Sequence, residues 1–253
     1  MESAKGLKKI FNQKIITLLI LLVSIAVVFT VLSKNGSYIK LVNIRNILNL
    51  MVITSLLTLG VGCLMISGNI DLSTGANGTL CGVLFAMFLR GGMPWFIAII
   101  GTVAIGAAIG AFNAALVNAV GFQPFIATMA VASVAKGLTY VANGADAVPI
   151  DNAVIMSLGS KRFFDLIPFT LIIAFAVFVI YALMLGKTKF GRSIYLVGGN
   201  REAARLSGIH PKKMSYLLFM NCGMLSALAG ILLAARLKSG TVTGIVSMQF
   251  SGM

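Results

Sequence analysis

Negative charge is scarce in this sequence: Asp and Glu number six in 253 residues, and they are scattered. No paired carboxylates stand ready for general acid–base work. Histidine occurs once, at His210, which cannot build a metal site alone, and no Ser/His/Asp constellation is visible. Cysteine occurs three times, at Cys63, Cys81 and Cys222, each inside an apolar run. Thiols so placed read as small buried residues, so neither a disulfide framework nor a metal site is expected. Charged residues of both signs together make up 10% of the chain, against about 25% in a soluble domain. These shortages exclude a soluble enzyme, a disordered segment and a disulfide scaffold.

What the chain has instead is apolar surface and positive charge. Hydrophobic residues are 58%, the mean hydropathy is +1.00, and the net charge is +14. The bilayer is the expected solvent. The basic residues read as flanks of membrane spans, held inside and attracted by anionic lipid. No basic stripe is interleaved with aromatics, so nucleic acid is not an expected partner.

Charge-free runs locate the crossings of a hydrocarbon layer about 30 Å thick. Ile15 to Ser33 is such a run, preceded by Lys5, Lys8, Lys9 and Lys14. No convincing small-residue cleavage pattern follows it, so it reads as a retained first helix rather than a signal peptide. Spans are expected near 15–33, 48–67, 74–89, 94–118, 124–143, 167–186 and 214–236. Asp71 alone separates the second from the third. Gly121-Phe122-Gln123-Pro124 interrupts a long uncharged run, because Pro124 lacks a donor and restricts its neighbour. Spanning strands would need alternating segments of about ten residues, which are absent. The expected fold is all-α: a polytopic membrane helix bundle, single-domain over 1–253, with a discontinuous helix region and a short cytoplasmic helix.

Charge also orients the chain. The segment 187–213 holds seven Lys and Arg against Glu202, which marks the cytoplasm and places the N-terminus there too. The segment 144–165, with Asp146, Asp151 and Asp165, is then external. Lys34, Lys40 and Arg45 run against this pattern in the first outer loop.

Few residues could carry chemistry. Gly186-Lys187-Thr188 looks like the end of a phosphate-binding loop, but the required upstream glycine is Tyr181 and no strand precedes it. It reads as a helix end with a basic flank. Asp71, in Ser67-Gly68-Asn69-Ile70-Asp71-Leu72-Ser73, has two compatible readings. Asp71 or Ser73 caps the next helix, or the acid lines a polar pathway at a broken helix. Asn113, Asn118, Asn221 and Gln123 are read first as interhelical hydrogen-bonding groups and second as substrate contacts. Gly106/Gly110 and Gly78/Gly82 recur at a spacing of four and read as packing faces. In the basic segment, Asn200 is a good N-cap, Glu202 suits a first turn and Gly208 a helix stop. A helix of about two turns seated in a groove of a soluble partner accounts for that combination.

On these residues the sequence resembles the permease subunits of bacterial ABC importers of the ribose/galactose/xylose type. Gly68-Asn69-Ile70-Asp71-Leu72-Ser73 is similar to that family's Gly-Gly-Ile-Asp-Leu-Ser signature, with Asn69 in place of the second glycine. Gln123-Pro124-Phe125-Ile126-Ala127-Thr128 resembles its Pro-Pro-Phe-Ile-Ala/Val-Thr motif. Thr188 to Gly208 resembles its long Gly-Gly-Asn…Glu-Ala-Ala-Arg-Leu-Ser-Gly loop, and the likeness spans nearly the whole chain.

The resemblance implies a multi-pass protein of the bacterial inner membrane that forms the pore for a small polar solute, a monosaccharide. It implies a second permease copy, an extracytoplasmic solute-binding protein and a nucleotide-binding ATPase subunit. No cofactor is expected on this chain; ATP and Mg belong to the partner. Coupling to the ATPase falls to Gly199, Asn200, Glu202, Ala203, Ala204, Arg205 and Gly208. Asn69, Asp71, Ser73, Gln123 and Pro124 are assigned to the translocation pathway or the helix break. Family members continue with further helices beyond the segment resembling 236–244, so C-terminal helices are expected to be missing here. Two alternatives from other classes are a secondary transporter using Asp71 for ion coupling and a truncated, non-transporting membrane partner.

Overall fold

The computed structural model describes residues 2–144, 146–164 and 166–245; Asp165, counted among the external acids, lies outside them. The chain divides into two compact units at Ile47 and Leu48. In the first, helix α1 (Glu2–Leu32) is followed by a 3-10 turn over Lys34–Ile39. The window Ile15–Leu32 has no buried residue, and its leucines, isoleucines and valines face outward all round. A helix apolar on every side is at home in lipid, not in water. Phe29 stacks on Tyr38 at 5.8 Å, and Asn43 donates to the Tyr38 carbonyl at 2.7 Å, closing the turn.

The second unit begins within α2 (Leu41–Ile66) and continues through α3 (Thr74–Arg90), α4 (Trp95–Ala115) and α5 (Pro124–Asn143). A π-turn over Leu116–Val120 extends α4. Then follow β1 (Val148–Pro149), α6 (Ala153–Ser160), β2 (Arg162–Phe163), β3 (Ile167–Pro168) and α7 (Phe169–Lys187). Two short helices, α8 (Lys189–Gly199) and α9 (Arg201–Leu206), lead into α10 (Pro211–Leu237) and β4 (Ser239–Gly240). The strands form two small antiparallel pairs, β2 with β3 and β1 with β4, the latter joining Val148 to Gly240.

The axis of this unit is α10. Its 27 residues would span about 40 Å at 1.5 Å per residue, with α9 before one end and β4 beyond the other. It packs on α3 and α4 through glycines. A methyl group at Gly106 would stand 2.5 Å from the Gly223 carbonyl, and one at Gly78 would stand 2.8 Å from that of Ser226. At Gly110 a methyl would overlap the Phe219 carbonyl. Such backbone proximity supplies the dispersion contact that drives helix association in lipid, where apolar burial gives little advantage.

Six helices among the described residues are long and apolar enough to cross a membrane, and α3 is not one of them. The expected third span, 74–89, coincides with α3, but α3 has only 17 residues, 12 of them buried. It is enclosed by α4, α5 and α10 and presents little surface to lipid. Composition shows that a segment is apolar, not whether lipid or protein surrounds it. The departure from expectation is α8. The segment expected as basic loop around one short helix is helical from Lys189 to Gly199 as well. Thr188 caps it, accepting from the Gly191 N–H at 3.1 Å, and Gly191, Ile194 and Val197 form its buried stripe.

Candidate functional site

The end of α2 is set by local chemistry. Gly68 has φ +80°, its N–H donates to the Met65 carbonyl, and the Asn69 N–H donates to that of Leu64 at 3.1 Å. This is a Schellman stop, and glycine takes the left-handed position at no steric cost. The chain then turns at Asp71. Its Oδ1 accepts from the Ser73 N–H at 2.8 Å and from Ser73 Oγ at 2.6 Å. Ser73 holds the N-cap position of α3 without a side-chain cap bond of its own. Of the two readings of Asp71, the local one describes its geometry: it forms the turn that starts α3.

Long-range contacts fix that turn in the bundle. Asn113 Nδ2 of α4 donates to Ser73 Oγ at 2.8 Å and lies 3.4 Å from both Asp71 oxygens. The Leu72 N–H donates to Thr128 Oγ1 of α5 at 3.1 Å. Asp71 and Ser73 are buried, at 1% and 0% exposure, and Asn113 Oδ1 has no hydrogen-bond partner. Asn118 donates to Ser215 Oγ at 2.9 Å, and Asn221 donates to the Tyr181 hydroxyl. The intramembrane amides therefore tie helices together.

The second break lies beside the first. Gly121 has φ +89°, Gln123 stands at the N-cap position of α5 and Pro124 occupies its first turn. Gln123, Pro124 and Phe125 face Met65, Asn69 and Ile70 across a cleft of about 350 Å³. The structure thus brings Asn69, Gln123 and Pro124 to one opening and leaves Asp71 and Ser73 buried behind it. No charged side chain lines this cleft; its polar side chains are the amides of Asn69 and Gln123.

The α8–α9 segment sits at the same end of the bundle. Asn200 Oδ1 accepts from the N–H groups of Glu202 and Ala203 at 2.9 and 3.0 Å, giving α9 its cap. Gly208, at φ +80°, closes it: Gly208 donates to the Arg205 carbonyl and Ile209 to that of Ala204, both at 3.0 Å. Ala204 is fully buried and shares a core with Ile194, Val197, Cys63, Leu64, Met214 and Leu218. It seats α9 on α2 and α10 rather than facing outward. Glu202 and Arg205 pair at 3.1 Å on the exposed side, and such an exposed pair adds at most about 1 kcal/mol. Gly199 has nothing within 4 Å of where a Cβ would stand. Beside α9 a cleft of about 600 Å³ is lined by Arg201, Arg205, His210, Lys212 and Lys213, with Glu202 the lone acid.

Sequence reasoning missed two participants. Thr128 lies in the Phe-Ile-Ala-Thr stretch, but its partner Leu72 is 56 residues away and carries no local signal. Arg201 is one of seven basic residues in 187–213, and nothing local sets it apart. Its Nη2 reaches Asn69 Oδ1 at 3.4 Å, 132 residues distant in sequence.

A helical bundle with two helix breaks at one end, a capped helix pinned beside them and six helices long and apolar enough to cross a membrane among the described residues has the build of a polytopic membrane protein. The chain belongs to the family described as the branched-chain amino acid transport system / permease component, which matches residues 43–251. The ribose import permease protein RbsC of Bacillus subtilis (strain 168) is 34% identical over 220 residues, covering 87% of this chain and 68% of the relative. RbsC of Escherichia coli (strain K12) is 34% identical over 233 residues, covering 90% and 71%. The galactose/methyl galactoside import permease protein MglC of Haemophilus influenzae is 31% identical over 230 residues, covering 83% and 68%. No solved structure matches the chain. The chain is a multi-pass permease subunit of an ATP-driven importer and not an enzyme; ATP hydrolysis lies on separate subunits. The family therefore couples transport to ATP, not to an ion carried past Asp71.

Proposed function

We propose that this permease carries a monosaccharide and is driven through α9 by a cytoplasmic ATPase subunit that holds the ATP and Mg. The family description speaks of branched-chain amino acids, whereas the relatives above are named for ribose and galactose. The cleft between the two helix breaks supports the sugar. Its amides at Asn69 and Gln123 offer donors and acceptors to hydroxyl groups. An amino-acid zwitterion would bring an ammonium group to a lining with no acidic side chain, and the one guanidinium that reaches it, that of Arg201, is taken up by Asn69; a neutral sugar avoids that desolvation cost.

The observation that carries the coupling role is the build of α9. It is capped at both ends and seated through Ala204, yet it presents Glu202, Ala203 and Arg205 outward beside a strongly basic cleft. Six residues would not hold a helix alone in water. The basic excess of 187–213 supports a cytoplasmic place for this end. An extracytoplasmic binding protein delivers the solute on the opposite side, and a second permease copy completes the pore. ATP moves the pore only insofar as the ATPase binds its two states with different affinity.

The test is Glu202→Arg. Reversing this charge weakens ATPase docking, read by co-purification and by transport-coupled ATP hydrolysis, while membrane insertion stays intact. Unchanged hydrolysis and uptake in that variant would sink the proposal.

A further inference from the structure

We propose that Arg201 is a positioning residue that ties α9 to the broken end of α2, so that movement of α9 is delivered to the cleft at Asn69. The inference rests on the coupling role assigned above and goes past it, because it names the contact through which coupling leaves α9.

Three observations place the contact. The two arginines of α9 are divided in direction. Arg205 pairs outward with Glu202 at 3.1 Å, whereas Arg201 turns to Asn69 Oδ1 at 3.4 Å. That bond joins two clefts, since Arg201 lines the basic one beside α9 and Asn69 lines the one between the helix breaks. The surrounding contact is stiff. A Cβ at Gly198 would overlap the Ile66 carbonyl, so the backbones of α8 and α2 touch there. Ile194, Val197 and Ala204 pack with Cys63 and Leu64 of the same α2 end. Close-packed interiors of this kind move as a body and transmit displacement.

The α2 helix ends at Ile66, three residues before Asn69. The packed seat therefore controls the helix, and the Arg201 bond extends that control past the Schellman turn into the cleft. An exposed arginine also gives up a bond with little structural consequence, which suits a contact that must be remade in each cycle.

The experiment uses the full chain with its co-purified ATPase in lipid nanodiscs, read by amide hydrogen exchange in 66–72 and 200–207. Arg201→Gln accelerates exchange in 66–72, and Asn69→Gly accelerates it in 200–207, each about five-fold, as expected for losing one hydrogen bond worth about 1 kcal/mol. The double variant is no faster than either single one. Asn69→Asp gives a charge-assisted bond and slows exchange at both segments. Addition of a non-hydrolysable ATP analogue changes exchange in 66–72 in the parent and not in Arg201→Gln, although the ATPase stays bound. Exchange at each segment that ignores the other residue overturns the contact. Release of the ATPase by Arg201→Gln also overturns the proposal, because Arg201 is then a docking residue. A parent preparation without any ATPase overturns the coupling reading itself, and the cross-segment exchange, measured on the permease alone, still decides whether the contact exists.

Discussion

Asp71 is buried in an apolar bundle, and among the described residues the one ion pair is Glu202–Arg205, far from it in sequence. The carboxylate is held by neutral donors: the Ser73 backbone and hydroxyl and the Asn113 amide. A buried acceptor that loses its donor forfeits the desolvation already incurred. Asn113→Ala therefore destabilises the bundle by about 1–3 kcal/mol, read as an earlier thermal transition in detergent. The loss shrinks when Asp71→Asn is made as well, since the two residues act on one another. The capacity of Asp71 to form a turn was legible in Asp-Leu-Ser, because an acid two residues before a backbone N–H is a local arrangement. Its partner Asn113, 42 residues on, was not. Asn200 and Gly208 were legible for the same local reason: caps and stops act within a turn of the residue that makes them.

At the scale of elements, α10 meets α3 and α4 along glycine seams. Gly110→Val forces its side chain into the Phe219 carbonyl, and overpacking of this kind costs about 1–3 kcal/mol or more. The expected outcome is loss of monodisperse protein on gentle solubilisation. Gly101→Ala is the contrast: at Gly101 only the edge of the Phe88 ring comes within 4 Å, at 3.9 Å, so a methyl group fits. Its expected outcome is unchanged or raised thermal stability, because alanine is the better helix former by about 1 kcal/mol. The small-residue spacing announced a packing face, but which helix filled it was a matter of tertiary structure. α8 escaped sequence reasoning because Gly191, Gly198 and Gly199 weaken its helix propensity. The signal was present in Thr188 and in the three-residue spacing of Gly191, Ile194 and Val197.

At the scale of the whole molecule, α8, α9 and both helix breaks gather at one end of the bundle, and the proposed coupling brings energy in there. The chain belongs to a family of permease subunits energised by separate ATPase subunits. Solute uptake into cells therefore continues when an uncoupler collapses the proton gradient while ATP is maintained. It stops when ATP is depleted with the gradient intact. Radiolabelled ribose and leucine, assayed in parallel, separate the sugar from the amino acid that the family description mentions.

The sequence alone determined the solvent, the helical class and the caps, because hydropathy and capping are properties of single residues and their near neighbours. It also carried the family likeness in three motifs. Only the tertiary structure decided that α3 is enclosed by protein, since enclosure depends on what packs around a segment and not on its composition. It likewise decided that Asn69 and Gln123 share a cleft, that Asp71 is closed off behind it, and that Arg201 reaches Asn69. These contacts join residues between 42 and 132 positions apart, and their formation depends on how helices of similar apolar character choose their neighbours through backbone shape.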